Sequence, residues 1–248
     1  MNNQNSDTIF EWQVHHLGDH AIVFSLPAMM DETIVTKIQA LNNFIQTKKI
    51  NAFIDYIPAY HTLTIVYDIL LIRSFLKQHY PSINIDQLGL QLLQDFQSSE
   101  KIETILLTPT SIIRVPVCYD LAFGIDLLSM AEEKKLSIEN IIEQHTKQTY
   151  LVYCLGFLPG FAYMGKVDKS IQVPRHEKPR SKVVAGSVGI AGAQTGIYPK
   201  DAPGGWKIIG RSPIRLFDPI HLATFKVGDH IQFYPISITE FETLNQHT

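Results

Sequence analysis

The sequence predicts an α+β protein with two domains, and three observations support this prediction. The chain has 248 residues, which corresponds to one or two domains at about 100–200 residues each. Strand and helix patterns alternate in the first part and restart near Ser111. Beyond them, ten of the 14 glycines lie between Gly156 and Gly210, among short apolar runs. We therefore expect one domain over residues 1–108 and a second over residues 109–248.

The first domain is predicted to combine strands with helices. Apolar and β-branched runs predict strands at residues 21–26, 52–57 and 61–67. Apolar side chains at helical spacing predict helices at about residues 31–45, 70–80 and 86–96. Asp31 is a suitable N-cap for the first helix, and Pro81 ends the second.

The second domain is predicted to begin with a strand and two helices and to continue as rolled β structure. The strand covers residues 112–117, and the helices cover residues 125–134 and 137–145. Short strands follow at residues 150–157, 206–209, 214–217 and 231–234. Short strands separated by Gly and Pro favour a closed or rolled sheet over a parallel one. The sequence from Ser237 to Glu240 matches a capping box and predicts a last helix.

Composition and motifs argue against several classes of function. The formal charge is −3 and no basic tail is present, so we expect no nucleic acid partner. The two cysteines, Cys118 and Cys154, have neither zinc-site nor disulfide-framework spacing, and we expect no metal. No P-loop is present. Because neither a secretory signal nor a membrane-spanning run is found, we expect a cytoplasmic protein that does not contact membrane.

The segment from Leu155 to Arg215 is strongly cationic. It carries ten Lys and Arg against three Asp and Glu, a net charge of +7, and four of the six arginines. Arginine grips carboxylates and phosphates through two parallel hydrogen bonds, and the successive N–H groups from Gly186 to Gly189 could hold an anion. These features predict a pocket for a small anionic ligand. The alternative is that the glycines mark bends and the lysines solvate loops.

Catalytic residues are not assigned by the sequence. Ser187 lies in a segment similar to a nucleophile elbow, but Ala185 replaces its first glycine and no partner histidine can be assigned. His145 ends a predicted helix, where the helix dipole favours an imidazolium. We expect an ordinary structural role for both residues.

Long motifs resemble one known family. They are residues 155–165 (LGFLPGFAYMG), 185–199 (AGSVGIAGAQTGIYP) and 203–213 (PGGWKIIGRSP), with Pro174-Arg175, Pro179-Arg180, Leu17-Gly18-Asp19, Tyr67-Asp68, and Phe123 to Asp126. This family is named variously allophanate hydrolase subunit 1, the kinase inhibitor KipI, and the B subunit of the prokaryotic ATP-dependent 5-oxoprolinase. The resemblance implies a ferredoxin-like α+β first domain and a cyclophilin-like β-barrel second domain.

The resemblance also implies function. It suggests one subunit of a heteromeric ATP-dependent 5-oxoprolinase, which converts 5-oxo-L-proline to L-glutamate and would be inactive as this chain alone. The assembled complex would use ATP, which this chain alone would not bind. Its partners would be a homologous second subunit, the KipA-like C subunit, together with a larger A subunit. The alternatives are an inhibitor that binds a sensor histidine kinase and a subunit of a urea carboxylase or allophanate hydrolase-like assembly.

The residues expected to form the site all lie in the quoted motifs or beside them. Substrate contact is predicted for Arg175, Arg180, Gln194, Thr195, Tyr198 and Arg211. The pocket wall is predicted from Phe157, Phe161, Tyr163 and Trp206, which would leave an apolar rim exposed for a partner protein. On this view the arginines are free to bind ligand, and Arg180→Ala should leave folding nearly unchanged.

Overall fold

The computed structural model describes residues 10–99 and 111–246. The chain divides into two compact units, Met1–Thr108 and Pro109–Thr248, here called unit 1 and unit 2. Each unit combines helices with antiparallel strands, in agreement with the predicted α+β class. No helix among these residues is long and apolar enough to cross a membrane.

Unit 1 is an antiparallel sheet covered by helices. Its elements are β1 (Gln13–His16), β2 (Ala21–Ser25), α1 (Glu32–Thr47), β3 (Phe53–Ala59), β4 (Thr62–Tyr67), α2 (Ile69–His79) and α3 (Ile85–Gln97). The strands pair in the order β1, β2, β4, β3. Ile22 and Phe24 of β2 are fully buried in one core with Ile34 and Ile38 of α1. Asp31 caps α1 as predicted, because its side chain accepts a hydrogen bond from the Thr33 N–H.

Unit 2 is built mainly of short strands. Its elements are β5 (Ile112–Val117), α4 (Leu127–Lys134), α5 (Ile138–Thr146), β6 (Tyr150–Leu155), β7 (Ala162–Gly165), β8 (Arg180–Val183), β9 (Ser187–Ala191), β10 (Gln194–Ile197), β11 (Ala202–Gly204), β12 (Lys207–Arg211), β13 (Phe217–Asp218), β14 (Leu222–Ala223), β15 (His230–Pro235) and α6 (Ile238–Asn245). The main sheet runs in the order β5, β15, β6, β7, β10, β9, β12. β5 and β15 are parallel and the other pairs are antiparallel.

The strands described in unit 2, within residues 111–246, do not close into a barrel. Cys118 and Arg211, at the two ends of the sheet, exchange backbone hydrogen bonds of 2.8 and 2.9 Å, but they form an isolated bridge rather than a continuous ladder. Gly210 permits this approach, since a Cβ there would lie 2.7 Å from the Cys118 carbonyl oxygen. β12 also has a bulge at this point, because its register with β9 shifts between Ile208 and Gly210. The closed barrel that the resemblance implies is therefore not confirmed.

One strand of the structure was not predicted, and one predicted strand is misplaced. Strand β1 has no counterpart among the predicted strands, because Gln13–His16 is largely polar and its burial alternates only between exposed and intermediate positions. The strand expected at residues 214–217 is wrong, since the described strand is Phe217–Asp218. Pro213 has no N–H to donate, and the Ile214 N–H turns to the Ser212 side chain, so this stretch does not enter a ladder.

Candidate functional site

A cationic pocket of about 210 Å³ lies in unit 2. It lies on the N-terminal side of α4 and is enclosed by β8, the loop that precedes β9, and β12. Its lining residues are Ala122, Phe123, Ile125, Arg180, Lys182, Val183, Val184, Ser187, Ile208 and Arg211. Three of them carry a positive charge and none carries a negative one. Arg180 and Lys182 are paired with Asp126 and Asp201, so Arg211 is the lining cation without an ion pair in the described part of the chain, and the pocket is suited to an anion there.

Arg180 is fixed by a buried carboxylate. Its Nη2 donates a 2.6 Å hydrogen bond to Oδ1 of Asp126, whose side chain is only 5% exposed. The same carboxylate accepts a hydrogen bond from the Ile208 N–H and lies 3.2 Å from Nε2 of His176. Burial alone would raise the pKa of Asp126, but hydrogen bonds from Arg180 and Ile208 hold the pKa below its ordinary value. Asp126 is therefore ionised near neutral pH and anchors the arginine.

The other terminal guanidinium nitrogen of Arg180 is left without a partner. Nη1 is buried and has no hydrogen-bond acceptor within residues 10–99 and 111–246. An unpaired buried donor is destabilising unless something bonds to it. Because Arg180 lines the pocket, an anionic ligand could satisfy this donor.

Arg211 also lines the pocket and is held by contacts of its own. Its Nε donates a 2.9 Å hydrogen bond to the Ala185 carbonyl oxygen. Its guanidinium lies 5.7 Å from the ring centroids of both Phe123 and Phe241, within the range of cation–π attraction. No described residue accepts a hydrogen bond from its two terminal nitrogens, so they remain free to bind a carboxylate.

The loop before β9 does not form the predicted anion nest. The Gly186 N–H donates to the Tyr198 carbonyl oxygen at 2.7 Å, and the Ser187 N–H donates to that of Val184. Gly186 has a φ of +82°, and a Cβ there would collide with the Ser212 carbonyl oxygen. The glycine is therefore required by a left-handed turn and a close approach. The N–H groups of Gly186 and Ser187 are both used within the protein and are not available to an anion.

The six residues predicted to contact substrate are not brought together. Arg180 and Arg211 share the cationic pocket, whereas Arg175 lies in a separate shallow groove with Lys178 and Lys207. Arg175 is placed over the Trp206 ring, 5.8 Å from its centroid. The expectation that all three arginines converge is therefore wrong for Arg175.

Thr195 is part of the core of unit 2. It is fully buried, and its hydroxyl donates to the Gly189 carbonyl oxygen at 3.1 Å. Since its proton is used there, Thr195 accepts the 2.9 Å hydrogen bond from Nε2 of His145. Nδ1 of His145 then accepts from the Tyr119 hydroxyl at 2.7 Å. Thr195 is thus committed to this buried chain of hydrogen bonds.

His145 is a neutral core residue. It is fully buried at the end of α5 and stacks on Phe233, with ring centroids 4.6 Å apart. Burial lowers its pKa to about 3. These contacts are consistent with the expected structural role of His145. The expected imidazolium is wrong, because burial lowers the pKa by more than the helix dipole raises it.

The remaining predicted residues lie in or beside a second core cluster. Tyr198 is 1% exposed, and Phe161 and Trp206 are 1% and 5% exposed, packed edge to face. Tyr163 is partly buried against them, and Gln194 is partly buried at the start of β10. An exposed aromatic rim formed by Phe161 and Trp206 is therefore not present. Both rings turn inward and pack against each other in this cluster.

Phe157 is the exception among the predicted aromatics. Its side chain is 59% exposed, and its φ of +68° is rare for a bulky residue. Such a conformation costs about 1–3 kcal/mol and is common at binding sites. Phe157 therefore remains available at the surface.

The sequence analysis missed the two residues behind Arg180, which are Asp126 and its neighbour His176. Asp126 belongs to one of the quoted motifs, but its partner Arg180 lies 54 residues further along the chain. His176 lies 50 residues from the same carboxylate. The sequence signal that could have identified Asp126 is its position in the motif from Phe123 to Asp126, at the start of the helix predicted over residues 125–134.

Comparison with known proteins identifies one family model and several related 5-oxoprolinase B subunits. Residues 12–225 match the family model described as "Carboxyltransferase domain, subdomain C and D". The chain is 33% identical over 245 residues to the 5-oxoprolinase B subunit of Bacillus subtilis (strain 168), covering 96% of this chain and 98% of that protein. It is 38% identical over 154 residues to the B subunit of Escherichia coli O157:H7, covering 61% of this chain and 71% of the relative.

Solved structures show the same fold. The crystal structure of TTHA0988 superposes with a TM-score of 0.70 at 28% identity, covering 88% of this chain. This chain spans only 40% of that protein. The urea carboxylase of Kluyveromyces lactis has a TM-score of 0.66 at 17% identity, over 95% of this chain and 22% of that one. At this low identity the similarity shows the fold alone.

Proposed function

Because this chain belongs to the family of the carboxyltransferase domain, subdomains C and D, together with 5-oxoprolinase B subunits, we propose that it is one component of an ATP-dependent 5-oxoprolinase. Such a complex opens the lactam of 5-oxo-L-proline to give L-glutamate. On the same ground we propose that unit 1 is ferredoxin-like and unit 2 cyclophilin-like in architecture.

The cationic pocket is the observation that carries this proposal. 5-Oxo-L-proline is a small molecule with one carboxylate, and the pocket offers two arginines with unused donors, Nη1 of Arg180 and the terminal nitrogens of Arg211. Hydrogen bonds between arginine and a carboxylate are among the strongest in proteins. In this proposal the two arginines hold the substrate carboxylate, and the lactam carbonyl points to the open side.

The chemistry assigned to this chain is binding and orientation. A lactam carbonyl is a poor electrophile, so ring opening requires activation, for which phosphoryl transfer from ATP is suitable. Ser187 is the hydroxyl residue that lines the pocket, and no histidine lines it with Ser187. In our proposal ATP is therefore used in the assembled complex, with the reacting groups supplied by the partner proteins.

The rim of the pocket supports assembly with a partner. Ile125 and Val184 line the pocket and are 57% and 42% exposed, and the neighbouring Leu121 is 47% exposed. Exposed apolar side chains that surround a binding pocket are typical of interaction surfaces. We propose that this rim is covered by the homologous C subunit, and that the complex is completed by a larger A subunit.

The test is 5-oxoproline-dependent ATP hydrolysis by the reconstituted complex. Activity should require this chain together with both partners, and omission of any one should abolish it. Arg211→Gln should raise the KM for 5-oxo-L-proline at least tenfold, whereas Arg215→Gln, at an exposed ion pair with Asp218, should not. Full activity without this chain, or an unchanged KM for Arg211→Gln, would contradict the proposal.

The two alternative functions stay predictions. Inhibition of a sensor histidine kinase would be detected as reduced autophosphorylation of a purified kinase when this chain is added alone. Membership in a urea carboxylase-like assembly would be detected as transfer of carboxyl groups to urea in the presence of a biotin carrier.

A further inference from the structure

A second and larger pocket, the unit 1 pocket, has a volume of about 580 Å³. It lies between the loop after β1, the end of β4, α2 and the start of α3. The residues used below are His16, Asp19, Tyr67, Arg73, Lys77 and Asp86. We propose that this pocket binds a free α-amino acid. The proposal concerns unit 1 alone and does not require the function proposed for unit 2.

Two buried polar atoms at this pocket have no hydrogen-bond partner. The hydroxyl of Tyr67 and Nε2 of His16 are both unpaired with respect to residues 10–99 and 111–246. Tyr67 is 1% exposed, yet it lines the pocket. The great majority of buried polar side-chain atoms in proteins are paired. Two unpaired groups at one pocket therefore point to a ligand that bonds to them.

The acidic side chains lie near the Tyr67 hydroxyl. Burial raises the pKa of Tyr67, and the negative charges of Asp19 and Asp86 raise it further, which places both carboxylates within electrostatic range. Oδ1 of Asp86 lies 4.0 Å from Nε2 of His16, too far for a hydrogen bond. A cationic ligand group is favoured here, because a tyrosine oxygen and an unprotonated imidazole nitrogen can both accept hydrogen bonds from an ammonium.

The basic side chains lie on α2. Arg73 and Lys77 are one helical turn apart, so they project from the same face of α2. Neither forms an ion pair with a residue in the described part of the chain. They are available for a carboxylate, which Arg73 can bind through two parallel hydrogen bonds.

The combination selects a zwitterion. Two carboxylates and two cationic side chains give the pocket charges of both signs, and an α-amino acid carries an ammonium and a carboxylate on the same carbon. The apolar part of the wall, which includes Leu76 and Ile83, accommodates a side chain. The volume is within the range of about 300–1,000 Å³ typical of small-molecule sites. An N-acylated or lactam derivative lacks the ammonium and should be rejected.

The proposal is tested by titration calorimetry on the full chain. The probes are L-glutamate and L-glutamine, with N-acetyl-L-glutamate and N-acetyl-L-glutamine as counterparts without an ammonium. We expect the two amino acids to bind at least tenfold more tightly than their counterparts. Absence of amino acid binding, or equal affinity for the N-acylated compound, would overturn the proposal.

Variants locate the binding. Tyr67→Phe removes only the unpaired hydroxyl, so it should weaken amino acid binding about tenfold and leave the unfolding midpoint unchanged or higher. Tyr56→Phe, on β3 and outside the pocket, is the matched control and should bind normally. Arg211→Gln should also bind normally, which excludes the pocket of unit 2. Wild-type binding by Tyr67→Phe, or lost binding by Arg211→Gln, would refute the assignment.

Discussion

Asp126→Asn is expected to destabilise unit 2 and to weaken ligand binding at the cationic pocket. The carboxylate of Asp126 is almost fully buried and accepts from both Arg180 and the Ile208 N–H. An asparagine has the same shape but no charge, and its NH₂ group would face one of these donors. The change therefore leaves a guanidinium that is partly withdrawn from water without its counter-charge.

The magnitude follows from the burial of the two partners. Removing one member of a buried ion pair costs about 3–5 kcal/mol. Because the Arg180 side chain is 29% exposed and can be partly rehydrated, we expect about 3 kcal/mol, at the lower end of that range. For a unit of this size, such a loss lowers the unfolding midpoint by about 6–12 °C.

Differential scanning calorimetry measures this change directly. Asp201→Asn is the control, because its ion pair with Lys182 is solvent-exposed and should contribute little. A double-mutant cycle with Arg180→Gln should show strong coupling, since each single change leaves the other group unpaired. If Asp126→Asn unfolds at the wild-type temperature, Asp126 does not anchor Arg180 and the description of the pocket is wrong. From the same ion pair we expect Arg180→Ala to destabilise unit 2, in place of the sequence-based expectation that it spares folding.

Three further predictions concern other residues of unit 2. Burial lowers the pKa of His145 from 6.5 to about 3 in the folded state, so between these pH values only the unfolded state binds a proton at this residue. The free energy of unfolding should therefore fall as the pH decreases below about 6.5, by up to about 1.4 kcal/mol per pH unit. Urea unfolding between pH 7.5 and 5 should show this slope, and His145→Gln should reduce it; an equal slope in the variant would refute the buried neutral imidazole. Gly186→Ala should destabilise by more than about 1 kcal/mol, because it imposes a left-handed φ and a collision with Ser212, and an unchanged denaturant midpoint would contradict that turn. Trp206→Ala should cost about 3–5 kcal/mol as a core residue, and a stable variant that only loses partner binding would instead place Trp206 at an interface.

Local features were predictable from the sequence because their causes are local. The caps at Asp31 and Ser137 and the capping box at Ser237 are each formed by side chains within three residues of the helix start. The apolar repeats that define α1 and α3 likewise depend on spacing alone. These signals were sufficient for the α+β class and for most elements of unit 1.

The candidate site was only partly predictable, because its contacts are distant in sequence. The cationic charge of residues 155–215 identified Arg180 and Arg211 but could not separate them from Arg175, which the fold places in another groove. The sequence also does not indicate which of the aromatic residues among these glycines point into the core and which point to solvent. The rings of Phe161 and Trp206 pack against each other and are buried in unit 2. Phe157 has a positive φ and its side chain is exposed.

The backbone of Arg211 connects ligand binding to the edges of the unit 2 sheet. Its N–H and carbonyl form the bridge to Cys118, while its guanidinium lines the cationic pocket. A ligand that holds the guanidinium also restrains this residue, so transient separation of the two strand ends becomes less frequent. Amide hydrogen exchange at Cys118 and Arg211 should therefore slow when the pocket is filled, even though neither amide touches the ligand. The exchange rate of these two amides in the Cys118–Arg211 bridge would thus show whether the cationic pocket holds a ligand.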